Sequence, residues 1–274
     1  MSIQYKPSAA ASAVWRHRTP KTQLALWFFW LVIVALFVYC WNLMTERTMW
    51  IFIYDAPTAA ADLMNRAWPP RFSYMERLWK PLWDTINIAT LGTLLGIIMA
   101  VPLAFLAAGN TTPSRLFLRP LALFCIVTSR SINSLIWALL LVSILGPGIL
   151  AGILAIALRS IGFIGKLLYE AIEETDINQV EAITATGASK GQILSYGIVP
   201  QVLPAFYGIS VFRWDINIRE SAILGLVGAG GIGARLQTSL NMLAWPQVTL
   251  IVLVILATVV VSEWVSARVR HAII

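Results

Sequence analysis

Charge is scarce in this chain. Of its 274 residues 12% are Asp, Glu, Lys or Arg and 58% are hydrophobic, where soluble domains carry about a quarter charged. That shortage excludes a water-soluble globular domain. Cysteine and histidine are also sparse, with two of each. Cys40 and Cys125 fall inside apolar runs and read as buried small hydrophobes, so neither a disulfide framework nor a thiolate metal site is expected. His17 and His271 stand near opposite termini and read as solvated tail residues. No paired histidines, metal-ligand spacing or activated nucleophile is present, which counts against a membrane-embedded enzyme. Acidic residues are outnumbered 13 to 20, a formal net charge of +7. In an apolar chain this excess fits cytoplasmic helix ends and anionic lipid, not nucleic acid.

What the chain has is long apolar runs. They are continuous, not alternating, so helices are expected and a β-barrel is not. A helix needs about 20 apolar residues to cross the bilayer core. Residues 1–23 form a basic tail with Lys6, Arg16, Arg18 and Lys21, with no clear cleavage site for a signal peptide after it. The first span is expected at 24–43 and an external loop at 44–81, aromatic and proline-bearing, resting on the membrane surface. Further spans are expected at 82–108, 120–145, 149–169, 201–224 and 248–267. Six spans place both basic tails on one side, the cytoplasmic side by the positive-inside rule. Arg47, Arg66, Arg71, Arg77 and Lys80 in the loop weigh against that orientation.

Between the fourth and fifth spans lies a polar stretch, DINQVEAITATGASKGQILSYGIVP, at 176–200. Asp176 with Gln179, and Ser189 with Gln192, have capping-box spacing. Ile177, Val180 and Ile183 share a helical face, and Gly187 suits the left-handed position that ends a helix. The pattern predicts a short helix, a sharp turn and a second helix feeding the fifth span. A plain solvated connection would show the same caps. The order Glu181-Ala182, Gly187 and Pro200 resembles the EAA motif of bacterial ABC-importer permeases, with Ile183 where a second alanine is usual. The resemblance implies a coupling helix seated in a groove of a cytoplasmic ATPase, with Glu181, Ala182, Gly187, Ala188, Ser189 and Pro200 at the contact.

Ionisable residues at membrane depth cost several kcal/mol and are functional candidates. Arg130 lies in the third span beside Ser129, Ser131, Asn133 and Ser134; the fifth span carries Arg213, Asp215, Asn217, Arg219 and Glu220. Arg213–Asp215 or Arg219–Glu220 fit structural charge pairs as readily as a transport role for Arg213 and Asp215; Arg130 and Arg219 read as pathway residues. Glu263 reads as snorkelling near the end of the last span. The segment at 217–237, NIRESAILGLVGAGGIGARLQ, is too glycine-rich for a stable exposed helix. It suits a broken or re-entrant stretch lining a cavity, and tight helix packing is the plainer reading. No Walker lysine follows, so the chain is not itself an ATPase.

Together, RSINSLIWAL at 130–139 and the glycine-rich stretch resemble the permease subunits of phosphonate-type ABC importers, over roughly residues 80–270. Asn133 stands where that family usually has proline. The resemblance implies an all-α integral membrane fold with six transmembrane helices, of the type I, methionine-importer-like kind, with the transmembrane domain at 82–270 and its coupling hairpin at 171–200. It implies import of a phosphonate, phosphite or hypophosphite, with a pathway drawing on Arg130, Asn133, Arg219, Glu220, Gly228, Gly230 and Gly231. The expected partners are a cytoplasmic ABC ATPase dimer that binds ATP and magnesium, a periplasmic or lipid-anchored substrate-binding protein, and a second permease copy or homologue. No cofactor is expected in this chain. A methionine-type importer permease and an ion-coupled secondary transporter are the alternatives; the latter often shows inverted repeats, and none is visible.

Overall fold

A computed structural model describes residues 20–273. Most of the basic tail, with Lys6, Arg16, His17 and Arg18, lies outside the described residues. The described residues contain helices and turns and no β-strand. The chain divides into two compact units, to Ala61 and from Asp62.

The first unit begins with α1 (Pro20–Arg47), 28 residues long and at 1.5 Å per residue ample for the bilayer core. Its apolar side chains, Leu24 to Leu43, are exposed, including a run of Trp27, Phe28, Phe29 and Trp30. The stretch 44–81, expected as loop, instead contains α2 (Trp50–Ala67) and a 3-10 turn (Phe72–Arg77). In α2, Asp55, Asp62 and Arg66 share one side, with Asp62 and Arg66 paired at 2.8 Å, while Phe52, Ile53, Leu63 and Met64 fall on the other. The charges that obscured a helical signal in this stretch form the polar half of an amphipathic helix.

The second unit is a bundle built from α3 (Trp79–Ala107), α4 (Leu118–Ser131), α5 (Ser134–Leu145), α6 (Ile149–Glu173), α7 (Ile177–Ala185), α8 (Lys190–Gln192), α9 (Val199–Leu224), α10 (Gly231–Asn241) and α11 (Trp245–Ile273). Its centre is α6, the most buried of the candidate spans. Small residues set the contact between α3 and α6. Ala89, Gly92, Thr93, Gly96, Ala100 and Ala104 recur every three or four residues on the buried face of α3. A Cβ added at Gly92 would lie 2.7 Å from Ile156 Cγ2, and one at Gly96 2.6 Å from Ser160 Cβ. Lipid supplies no hydrophobic drive between helices, so close approach through such residues is what holds a membrane bundle together.

Five helical runs among the described residues are long and apolar enough to cross a membrane, or six if the bent pair α4–α5 counts as one span. The third span, read as continuous over 120–145, is broken by 90° between Ser131 and Ser134. Ile132 is extended (φ −94°, ψ 130°), and the Asn133 side chain accepts from Leu135 N at 3.0 Å, capping α5. An N-cap here starts a new helix, which is how asparagine serves at this position. The cysteines also differ from expectation: Cys40 and Cys125 are exposed. On a helix that faces lipid, an apolar residue points outwards as readily as inwards, so hydrophobicity no longer marks the core.

Replacing Gly96 with Val drives a branched side chain into Ser160 and should cost about 1–3 kcal/mol. The thermal midpoint of the detergent-solubilised chain is expected to fall, while Leu91→Ala on the exposed face of α3 leaves it close to wild type. Equal midpoints for Gly96→Val and wild type would remove the α3–α6 contact as the organising one.

Candidate translocation path and docking hairpin

The polar stretch at 176–200 folds as a hairpin. Asp176 Oδ1 accepts from Asn178 N at 2.9 Å, capping α7. The reciprocal bond expected from Gln179 is not made. Gln201 takes that place: its Oε1 accepts from Asp176 N at 2.9 Å and its Nε2 donates to Gly197 O at 2.7 Å, so one side chain ties both arms together. Gln179 is exposed and too early in the chain to bridge them. The second capping box forms as expected, with Gln192 Oε1 accepting from Ser189 N at 2.8 Å. Gly187 has φ +81°, the left-handed geometry that ends α7, with open space around it. After α8 the chain passes through a π-helical stretch (Ile193–Ile198) straight into α9, so the second arm and the fifth span are one continuous helical run.

Val180 and Leu194 pack on Leu168, Ile172, Ile198 and Val202 at the foot of the bundle. Ile177, placed with Val180 and Ile183 on one face, is 67% exposed instead. Beneath the hairpin, Asn110 Nδ2 donates to Ile172 O at 2.6 Å, and Glu173 accepts from Gly109 N at 2.7 Å while pairing with Arg119 at 3.0 Å. The hairpin is thus braced on one side and open on the other. Glu181, Ala182, Gly187, Ser189 and Pro200 are exposed and Ala188 is half-buried.

The charges of α9 are sorted by helical geometry. Residues one or two apart do not face each other on a helix, so neither Arg213–Asp215 nor Arg219–Glu220 forms; pairs four or seven apart do. Arg213 Nη2 lies 3.4 Å from Glu220 Oε2, and Arg219 pairs with Asp215. Asp215 also accepts from Ser262 Oγ of α11 at 2.7 Å. Arg213 is fully buried, donates to Ser160 Oγ at 3.0 Å and lies 5.1 Å from the Phe163 ring centroid. Asn217 donates to Ser160 Oγ at 3.0 Å and to Thr93 Oγ1 at 2.7 Å, joining α9 to α6 and α3.

Arg159 and Lys166 also matter here, and both carry the signal that marks Arg130, an ionisable residue within an apolar span. Arg159 Nε approaches Glu220 Oε1 at 3.5 Å, and Arg159 Nη1 donates to Ile132 O at 3.1 Å, at the break between α4 and α5. Arg159 therefore connects Glu220 to the carbonyl of Ile132, the residue before Asn133. Arg130 is elsewhere: it is exposed and lines a cleft of about 440 Å³ with Ser131, Lys166 and Tyr169. Arg219 points away from Glu220, towards Asp215.

The glycine-rich stretch breaks the helix. After α9 comes a 3-10 turn (Gly225–Val227), then Gly228, Gly230 and Gly231 at φ +92°, +83° and +71° before α10. Gly148 N donates to Gly228 O at 3.0 Å, and Ile232 N to Thr85 Oγ1 at 2.8 Å. A Cβ at Gly231 would lie 2.6 Å from Thr85 Oγ1. The stretch is both broken and tightly packed, so the two readings of it are aspects of one geometry. These three glycines belong with α3 and the 146–148 turn, apart from the Arg159–Glu220 cluster.

Thr85→Val keeps the shape but orphans the buried Ile232 N–H, at a cost of about 1–3 kcal/mol. Hydrogen exchange at the start of α10 should accelerate more than at α6; unchanged protection there would contradict this anchoring role.

Residues 88–273 match the family described as "Binding-protein-dependent transport system inner membrane component". The phosphite transport system permease protein PtxC of Stutzerimonas stutzeri is 39% identical over 77% of this chain and 76% of its own length. The phosphate-import permease protein PhnE of Mycolicibacterium smegmatis is 41% identical over 80% of this chain and 42% of its own length, so this chain spans less than half of that relative. A chain of the methionine ABC transporter MetNI in an inward-facing conformation shares the fold, with a TM-score of 0.65 at 20% identity over 74% of this chain and 99% of its own. The all-α fold, the polar interior with its broken helices and a match over 88–273 lead to one conclusion: the chain belongs to the family of binding-protein-dependent transport system inner membrane components.

Proposed function

We propose that this chain is the permease subunit of an ATP-driven importer for a phosphorus oxyanion: phosphonate, phosphite or hypophosphite. The observation that carries the substrate class is the similarity to the phosphite permease over 77% of this chain. The arginines Arg130, Arg159 and Arg213 on membrane-spanning helices support an anionic cargo. The methionine-type reading has behind it a shared fold at 20% identity and sequence similarity over 55% and 38% of this chain, less than the 77% matched by the phosphite permease.

In this reading the chain does no covalent chemistry. A cytoplasmic ATPase dimer binds ATP and magnesium, a periplasmic or lipid-anchored binding protein delivers the substrate, and a second permease copy or homologue completes the pore in the lipid bilayer. The exposed rim of the hairpin, Glu181, Ala182, Gly187, Ala188, Ser189 and Pro200, seats in the ATPase, and nucleotide-driven closure moves it as a rigid body. The pathway draws on Arg130, Asn133, Arg219, Glu220, Gly228, Gly230 and Gly231. In this reading α4–α5 is one crossing, and both termini and the hairpin lie on the cytoplasmic side, as the positive-inside rule suggests.

The test is uptake into liposomes containing this chain, its ATPase and its binding protein. ATP-dependent accumulation of phosphite, hypophosphite or methylphosphonate, lost without the ATPase, is the expected result. Methionine uptake would keep the fold and overturn the substrate; uptake without the ATPase would favour ion coupling. Gly187 has no neighbour within 4 Å to clash with, and although its φ of +81° strains any side chain there by about 1 kcal/mol, aspartate tolerates that geometry better than most, so Gly187→Asp should disturb the turn after α7 and leave the bundle folded. It is expected to lower transport several-fold while ATP hydrolysis continues. Full transport by that variant would sink the docking assignment.

A further inference from the structure

We infer that Arg159, backed by Arg213, is a coordination point for the anion in transit, and that Glu220 is a tethered carboxylate which the anion displaces. The inference rests on the oxyanion-permease reading above and adds a residue and a mode of binding to it.

Three features of the cluster lead there. First, its charges do not balance. Arg159 and Arg213 face one carboxylate, Glu220, while the neighbouring Asp215 is already engaged by Arg219 and Ser262. One positive charge is left over within the spans, which is costly unless something anionic answers it. Second, the contacts that exist are loose. Glu220 sits 3.5 Å from Arg159 and 3.4 Å from Arg213, against about 2.7–2.9 Å for well-formed charge-assisted bonds. Arg159 Nε, the atom that faces Glu220 Oε1, is buried and makes no hydrogen bond of good geometry. A carboxylate stretched between two guanidinium groups is easier to displace than one forked onto a single arginine. Third, the location suits passage. Arg159 also holds Ile132 O at the break before α5, and irregular backbone at membrane depth is tolerated where it is buried in protein or lines a cavity. The Arg159 and Glu220 side chains keep 27% and 20% of their surface exposed while Arg213 is sealed at 2%, so Arg159 is the arginine an incoming anion meets.

The face of α6 continues the argument. Lys166 is seven residues, two turns, beyond Arg159 and so about 10 Å further along the same face. It pairs with Glu170 and lines the cleft that holds Arg130, and Arg130 has no ion pair among the described residues. A tetrahedral oxyanion with two or three acceptor oxygens can bridge Arg159 and Arg213 as Glu220 does, then move along this face towards the unpaired Arg130. When the anion leaves, Glu220 closes on the arginines again and answers one of their two charges until the next anion arrives.

The test uses the assembled transporter with its ATPase in nanodiscs. Radiolabelled phosphite binding is measured without binding protein, and maximal ATP-dependent uptake is measured with saturating loaded binding protein. Arg159→Gln should lose phosphite binding and lower maximal uptake roughly ten-fold or more, and Arg159→Lys should restore part of both. Glu220→Gln should act in the opposite sense on binding, tightening phosphite several-fold, while uptake slows because release is slower. This second variant decides the matter if Arg159→Gln fails to assemble. A purely structural clamp predicts lower thermal midpoints for both variants and unchanged phosphite affinity, and that result would overturn the inference. Wild-type uptake of phosphite with Arg159→Gln running at full rate would overturn it alone. A wild-type transporter that moves none of phosphite, hypophosphite or methylphosphonate would overturn the functional reading and this inference together.

Discussion

Charge and hydrogen-bonding groups placed where lipid would otherwise surround them must find partners inside the protein, and that requirement governs how α3, α6 and α9 meet. Ser160 is the meeting point: it accepts from Arg213 and from Asn217, and Asn217 reaches on to Thr93. These bonds are possible because Gly96 lets α3 approach Ser160 closely. The apolar contacts along the same helices, Ile88 with Ile156 and Leu224 among them, add dispersion but little direction. In a bundle whose exterior is as apolar as its interior, the polar bonds supply the register.

The same accounting explains the interruptions. Each helix break frees backbone groups, and each break here has side chains or backbone bonds that receive them. Asn133 caps α5, and Arg159 takes the carbonyl of Ile132. Thr85 receives Ile232 N, and Gly228 O receives Gly148 N. At the hairpin, Gln201 links the start of α7 to the π-helical stretch leading into α9. Movement of the exposed hairpin would therefore be felt directly by α9, the helix that carries Arg213 and Glu220. Under the proposed function, this continuous element is what would couple an external event to the interior.

Much of this was legible in the sequence, and what was not has identifiable causes. Helical class and most spans follow from continuous apolar runs. Gly187 and the Ser189–Gln192 box were readable because local backbone chemistry decides them. The partners of Asp215 and Glu220 were not, since adjacency in sequence suggested pairs that a helix holds apart. Gln201 was hidden because its bond to Asp176 spans 25 residues. The break at Asn133 was masked by apolar flanks that look like one span, and α2 was masked by its own charges. Arg159 carried the signal used for Arg130 but sat in a stretch without a motif to draw attention. The exposed Cys40 and Cys125 show that hydrophobicity stops separating inside from outside once lipid is the solvent.

Arg213 and Asn217 are sealed and hold the helices in register, while the partly exposed Arg159 and Glu220 and the α4–α5 break beside them are read as lining a water-accessible route. Thiol accessibility at the α4–α5 break tests this most directly. With Cys40 and Cys125 replaced by Ala, Asn133→Cys would be treated with a charged, water-soluble thiol reagent in the membrane-embedded transporter, with Lys190→Cys on the hairpin as the reactive control. Because the thiolate is the reacting form and needs water around it, labelling at 133 is expected, and it should slow in the presence of phosphite. An inert thiol at 133 beside a reactive one at 190 would contradict it.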